Sequence, residues 1–223
     1  IACIPNTVLL SSDLVNQDQE QIPNPFIQIY DVTGSLYAEV EGDPEGSFQV
    51  DVPANADIFV VISADDYDAH SFSGLIQSAD IAIETGIFWL RTEEEATAIR
   101  SEFSDCSSTN GSFIDGQIRL MLDTSNPENN PTITTATFST VDDTRTQNSA
   151  CYLPELDSET EELLPSEESG AEGRFALFGL STGLHTLNVN IQKDEATSDD
   201  YSFNVFVPEN GSVPLYPLFI PVN

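Results

Sequence analysis

Carboxylates supply nearly all the reactive chemistry in this chain. Thirty-eight aspartates and glutamates stand against six lysines and arginines and two histidines, a formal net charge of −32 over 223 residues. Proton transfer near neutral pH falls to histidine, or to a carboxylate whose pKa has been raised. Of the two histidines, His70 and His185, the second shares strand parity with Leu187, Val189 and Ile191. That places His185 at the end of an apolar face, as a structural residue. No serine nucleophile elbow, His-Glu-x-x-His pair, Walker loop or Gly-x-Gly-x-x-Gly segment is recognised. Carboxylate pairs could run glycosidase chemistry. With 38 acids such pairs arise by chance, so a hydrolase is the least supported reading and no catalytic residue is assigned.

Calcium suits this residue set better, because it takes carboxylate and carbonyl oxygens held on loops. Candidate ligands in the first half are Asp43 and Glu45 in one turn and Asp65, Asp66 and Asp68 after a later strand. The second half offers Asp194, Glu195, Asp199 and Asp200. None has EF-hand spacing, and a solvated acidic rim competes with a Ca²⁺ site. Cys3, Cys106 and Cys151 are too scattered for a metal knuckle or redox motif. One disulfide is expected, with Cys106–Cys151 preferred. Cys3 could instead pair with Cys106 or with another subunit.

The charge excludes nucleic acid and anionic lipid as partners, since both need a basic footprint. It implies a medium that screens self-repulsion, either millimolar Ca²⁺ outside a cell or high salt. There is no apolar run long enough for a transmembrane helix. The chain starts at Ile1 without methionine, as a secreted product freed of its signal peptide would, and as a cloned fragment also would. The expected location is extracellular or on a cell surface.

Almost every element that could position these residues reads as a short strand. Glu45-Gly-Ser-Phe-Gln-Val-Asp-Val and Glu172-Gly-Arg-Phe-Ala-Leu-Phe-Gly recur at an offset of 127 residues, which sets Gly46 on Gly173, Phe48 on Phe175, Val50 on Leu177, Val60 on Leu187 and Ile62 on Val189. Two alternating strands joined by a small-residue turn read as a β-hairpin hiding one face. Thr92 with Glu95 three residues on starts a helix over about 92–103, whose stripe Ala96, Ile99 and Phe103 is expected to pack under the first domain. Residues 154–172 form an acidic insertion absent from the first repeat. Asn110-Gly-Ser112 and Asn210-Gly-Ser212 match the glycosylation acceptor pattern, but their Asn-Gly pairs serve equally as turns.

The repeated segment resembles the carboxypeptidase regulatory-like (transthyretin-like, prealbumin-type) β-sandwich domains, whose usual form is DGxFxLxGLPxGxYxLxV. That resemblance implies folding, adhesion or interaction modules without catalytic residues. The expectation is therefore an all-β chain of two tandem antiparallel β-sandwich domains with one short helix between them, residues 1–105 and 106–223. The expected function is a secreted structural or cell-surface subunit that associates with copies of itself or with other surface components. Its apolar terminal strands (Ile4, Val8 and Leu10; Val213, Leu215 and Leu218) could add to a neighbour's sheet edge. The alternative is a carbohydrate- or protein-binding adhesion module using exposed tyrosines such as Tyr37, Tyr67 or Tyr152.

Overall fold

The computed structural model describes residues 7–16, 18–76, 83–84, 88–103, 106, 110–121, 131–142, 147–153, 155–156, 163–164, 168–169, 172–192 and 197–221. Strands β1 (Thr7–Val15), β2 (Phe26–Asp31), β3 (Leu36–Glu41), β4 (Ser47–Pro53), β5 (Ala56–Ser63), β6 (Ala69–Ile76), β7 (Ile83–Glu84) and β8 (Phe88–Trp89) precede the helix α1 (Glu93–Glu102). After it come β9 (Ser112–Met121), β10 (Ala136–Asp142), β11 (Gln147–Ser149), β12 (Cys151–Tyr152), β13 (Glu155–Leu156), β14 (Leu163–Leu164), β15 (Arg174–Leu180), β16 (Gly183–Gln192), β17 (Ser198–Val207) and β18 (Gly211–Pro221). The fold is two tandem β-sandwiches with one short helix between them.

Strand pairing repeats as well as sequence. β1 pairs with β4 and, in parallel, with β7 and β8, as β9 pairs with β15 and, in parallel, with β18. β2 lies between β3 and β5, and β5 pairs with β6; β10, β11, β16 and β17 repeat this arrangement. Each sandwich buries its own cluster, around Phe48, Val60 and Ile62 in the first and Phe175, Leu187 and Val189 in the second. Gly46 and Gly173 both take left-handed backbone, φ 85° and 65°. At either, a Cβ would meet a backbone carbonyl 2.8 Å away, that of Ile22 or Ile118, so glycine is required at both.

The repeated segment is not a paired hairpin. β4 pairs with β1 while β5 pairs with β2 and β6, and β15 and β16 likewise fall in different sheets. The turn carries the chain across the core, and the two apolar faces meet each other from opposite layers. Period-2 alternation is the same in both geometries, so the pattern could not distinguish them.

The sandwiches are fused by an eight-stranded sheet, β12-β15-β9-β18-β6-β5-β2-β3. Its two covering sheets lie on opposite faces. Ser212 pairs with His70, which pairs with Ile62 of the first core, whereas the next residue, Val213, belongs to the second core. Alternation along β18 sends these neighbours to opposite sides. β5 is consequently buried on both faces: Ile58, Val60 and Ile62 face the first core, and Phe59 and Val61 pack on Phe206 of β17. Its unbroken apolar run suits that position.

The helix starts at the expected capping box, in which Thr92 Oγ1 accepts from Glu95 N–H and the Glu95 carboxylate accepts from Thr92 N–H. The end of its stripe does not turn under the first sandwich. Phe103 meets Phe178, Arg100 lies over Phe113, and Glu102 pairs with Arg174, so α1 covers the outer face of β9 and β15 in the second. The Cys106–Cys151 disulfide is present and ties the segment after α1 to β12 across 45 residues. Reducing it, or replacing both cysteines by serine, is expected to cost about 3–4 kcal/mol by freeing the unfolded chain; urea unfolding with and without reductant measures this. Cys3 lies outside the described residues.

Candidate functional site

Where the sandwiches join, polar side chains converge in a buried cluster. β18 starts beside β6, Gly211 opposite Ala69 and Ser212 opposite His70, and a Cβ on Gly211 would collide with the Ala69 carbonyl. Arg91, just after β8, makes a two-pronged ion pair with Asp115 of β9 at 2.7 and 3.0 Å, and both side chains are essentially unexposed. Arg91 also lies over the Trp89 ring, and its carbonyl accepts from Asp68 N–H. The Ser212 hydroxyl donates to the Asp68 carboxyl. His70 Nδ1 lies 3.2 Å from the Trp89 carbonyl, which can only accept, so Nδ1 carries the proton. Its Nε2 stands 3.6 Å from Asp68 Oδ2, without a hydrogen-bond partner among the described residues.

Burial sets the ionisation of this pair. Loss of solvent pushes the Asp68 carboxyl up to about 6, against the downward pull of the Ser212 hydroxyl and of Arg100 and Arg91. Loss of solvent, helped by the Arg91 charge, pushes His70 down to about 3, so it is neutral. Serine, histidine and aspartate are close together here, but hydroxyl and imidazole converge on one carboxylate instead of forming a relay. Ser212 is 0% exposed, so no substrate reaches it. The cluster is a clamp between the sandwiches.

A second Ser-His-Asp group lies in the second sandwich, at a spacing the sequence reading passed over. Gly179-Leu-Ser-Thr-Gly183 has the Gly-x-Ser-x-Gly pattern, and the fold brings Ser181, His185 and Asp142 together. The geometry is wrong for nucleophile activation. Ser181 turns between two strands, β15 and β16, not from a strand into a helix. His185 Nε2 lies 2.8 Å from the Ser181 carbonyl and therefore carries the proton, which leaves it unable to take one from the hydroxyl 3.4 Å away. Asp142 accepts from the serine at 3.2 Å, and among the described residues His185 Nδ1 is buried without a hydrogen-bond partner. His185 is 1% exposed at the end of its apolar face.

The carboxylates considered for calcium are dispersed. Asp68 faces the clamp while Asp65 and Asp66 lie exposed in the turn before it. Asp43 accepts from Ser47 N–H to close its own turn, and Glu45 is exposed. Asp199 and Asp200 are adjacent on β17 and so point to opposite faces, and Asp194 and Glu195 lie outside the described residues. Among the described residues no three His, Cys, Asp or Glu side chains gather to hold a metal ion.

The terminal strands are used within the chain. Val8 and Leu10 are buried in the first core, Val213 is buried in the second, and Leu215 and Leu218 pack against that core; Ile4 lies outside the described residues. β18 has β9 on one side and β6 on the other. Among the described strands, β17 ends its sheet with β16 on one side only; its Ser198–Asn204 part is exposed or half-buried, whereas Val205–Val207 is buried. Beside it opens a cleft of about 390 Å³ lined by Val32, Phe59, Leu187, Phe203, Leu215 and Leu218. The outer face of the same sheet holds a polar depression of about 720 Å³, with Ser139, Asn188, Asn190, Asp200 and Ser202 in its lining. Asn190 donates to Asp200, and Ser202 to Asn188, each at 2.8 Å.

No family model matches the chain, and no curated protein matches it. Among solved structures, the Bacillus anthracis TIE protein is similar at 12% identity and TM-score 0.34, over 96% of this chain but only 34% of its own length. The shaft pilin of Lactobacillus rhamnosus GG is similar at 11% identity and TM-score 0.30, covering 93% of this chain and 96% of its own. A minor pilin of Streptococcus agalactiae is similar at 9% identity and TM-score 0.31, over 96% and 94%. At these scores the likenesses carry no functional assignment.

Proposed function

We propose that this chain is an extracellular or cell-surface structural subunit, not an enzyme, that associates with copies of itself through an open sheet edge. The observation that supports this most is the position of β17 at the end of its sheet among the described strands, beside an apolar cleft. A strand at the end of a sheet offers backbone donors and acceptors, and the cleft can receive apolar side chains from an added neighbour. The clamp favours the same reading, because a subunit of fixed shape presents its edges at a constant angle. A net charge of −32 opposes contact between copies, so assembly calls for salt or a divalent cation such as Ca²⁺ to screen it. Light scattering and electron microscopy across a salt series, with and without millimolar Ca²⁺, test this. Monomers at low ionic strength and ordered polymers at high ionic strength or with Ca²⁺ are expected; a monomer under every condition would end the proposal.

A second reading, glycan binding, draws on the polar depression. The Asn190–Asp200 pair sets an amide and a carboxylate side by side, a donor and an acceptor suited to adjacent sugar hydroxyls. A neutral-glycan array probed with the chain and with Asn190→Ala tests it, and absence of signal removes it.

A further inference from the structure

We propose that the outer face of the sheet β11-β10-β16-β17 binds a neutral oligosaccharide laid across the strands, along the row Ser149, Ser139, Asn188 and Ser202. This rests on the glycan reading of that face and names the ligand's charge, form and track.

Register sets the row. Ser139 pairs with Ser149 on one side and with Asn188 on the other, and Asn188 pairs with Ser202. Alternation turns these side chains outward, since Phe138, Leu187, Val189 and Phe203 on the same strands face the core. Ser149 and Ser202 are exposed, and Ser139 and Asn188 are half-buried. Directly opposed side chains stand about 5 Å apart, so the row is a track of hydroxyls and one amide about 14 Å long. The Ser202 hydroxyl donates to the Asn188 carbonyl oxygen, which holds the amide plane and aims its N–H groups. Thr137, Asn190 and Asp200 form a second row on one flank, and Thr186 with Asn204 lies on the other. Only Asp200 among these is charged, and Asn190 donates to it.

Charge and the repeat select the ligand. A chain of net charge −32 repels an anionic polymer, while a face with a single carboxylate suits a neutral one. At the offset of 127 residues, Asn188 stands where Val61 stands and Thr186 where Phe59 stands. Phe59 and Val61 are apolar and packed on Phe206 of the second sandwich. A further sandwich cannot dock on Asn188 and Thr186 in that way, because amide and hydroxyl groups would be buried against an apolar surface. The adjacent hydroxyls of a sugar can instead both donate to and accept from them. Each such bond replaces one to water and gains little, and the row offers no aromatic ring for stacking. Affinity must therefore grow with the number of strands the ligand crosses.

Calorimetric titration with glucose, mannose and N-acetylglucosamine, and with their neutral oligomers of two to six units, tests the track. Affinity for at least one series is expected to rise about tenfold or more from the single sugar to the tetramer, then to level off once the ligand spans the row. Ser139→Ala/Asn188→Ala is expected to weaken that binding about tenfold or more. Gln49→Ala, on the exposed face of β4, is expected to leave it unchanged, and both variants should melt at the wild-type temperature. Binding as strong for the single sugar as for its oligomers would overturn the track and leave the glycan reading standing. So would binding that survives Ser139→Ala/Asn188→Ala but is lost in Asn190→Ala. No binding in any series would overturn the track, and an empty neutral-glycan array would end both.

Discussion

Replacing Arg91 alone by methionine is expected to destabilise the chain by about 3–5 kcal/mol, because Asp115 would lose its two-pronged cationic partner where it has no exposure. The loss comes from the buried carboxylate deprived of its counter-charge more than from the pair itself, whose attraction largely offsets its own desolvation. The double variant Arg91→Met/Asp115→Leu should therefore recover most of the loss. Urea unfolding followed by circular dichroism measures both, and the fluorescence of Trp89, the single tryptophan, reports the junction directly. A loss for Arg91→Met below about 1 kcal/mol, the scale of an exposed pair, would contradict a buried clamp.

Asp68→Asn is expected to raise stability at neutral pH by about 3 kcal/mol, and this gain should vanish by about pH 4. The sign follows from proton counts. Folded Asp68 holds a proton up to about pH 6, where an unfolded aspartate has already lost it, so its contribution falls as pH rises through that window. At neutral pH the ionised group is a buried cost, which asparagine avoids while still accepting from the Ser212 hydroxyl. His70 has the opposite sign: folded it stays neutral down to about 3, so its contribution is lost as pH falls below the ordinary histidine value. Between about pH 4 and 6 the two slopes cancel, since folded and unfolded forms of the pair each carry one proton. The variant should therefore expose the histidine slope, losing about 3 kcal/mol against wild type between pH 6 and 4. Stability curves of the two proteins at pH 7 and 4.5 decide it. Equal destabilisation at both would mean that Asp68 is ionised in the clamp.

The repeat, the capped helix, the core positions around Phe48 and Phe175 and the preferred disulfide were all legible in the residues. Each depends on contacts close in the chain or on a pattern of period two. His185 was read correctly for the same reason, since strand parity fixes which face a side chain takes. The clamp was not legible. Asp68 looked like one of three turn carboxylates and Ser212 like part of a turn, yet they meet across 144 residues. Arg91 and Asp115 carried no local signal at all. The Gly179–Gly183 spacing shows the converse: a motif can be complete in one dimension and misassembled in three.

By itself the chain's residue order determined two strand-rich halves, each with an apolar face to hide and an acidic exterior, because those properties are local and periodic. Only the tertiary structure decided that the repeated strands cross the core instead of pairing, that the halves share one sheet with their covers on opposite faces, and that β17 ends its sheet among the described strands. Those choices turn on which backbone edges meet, and backbone hydrogen bonding is common to every residue type except proline.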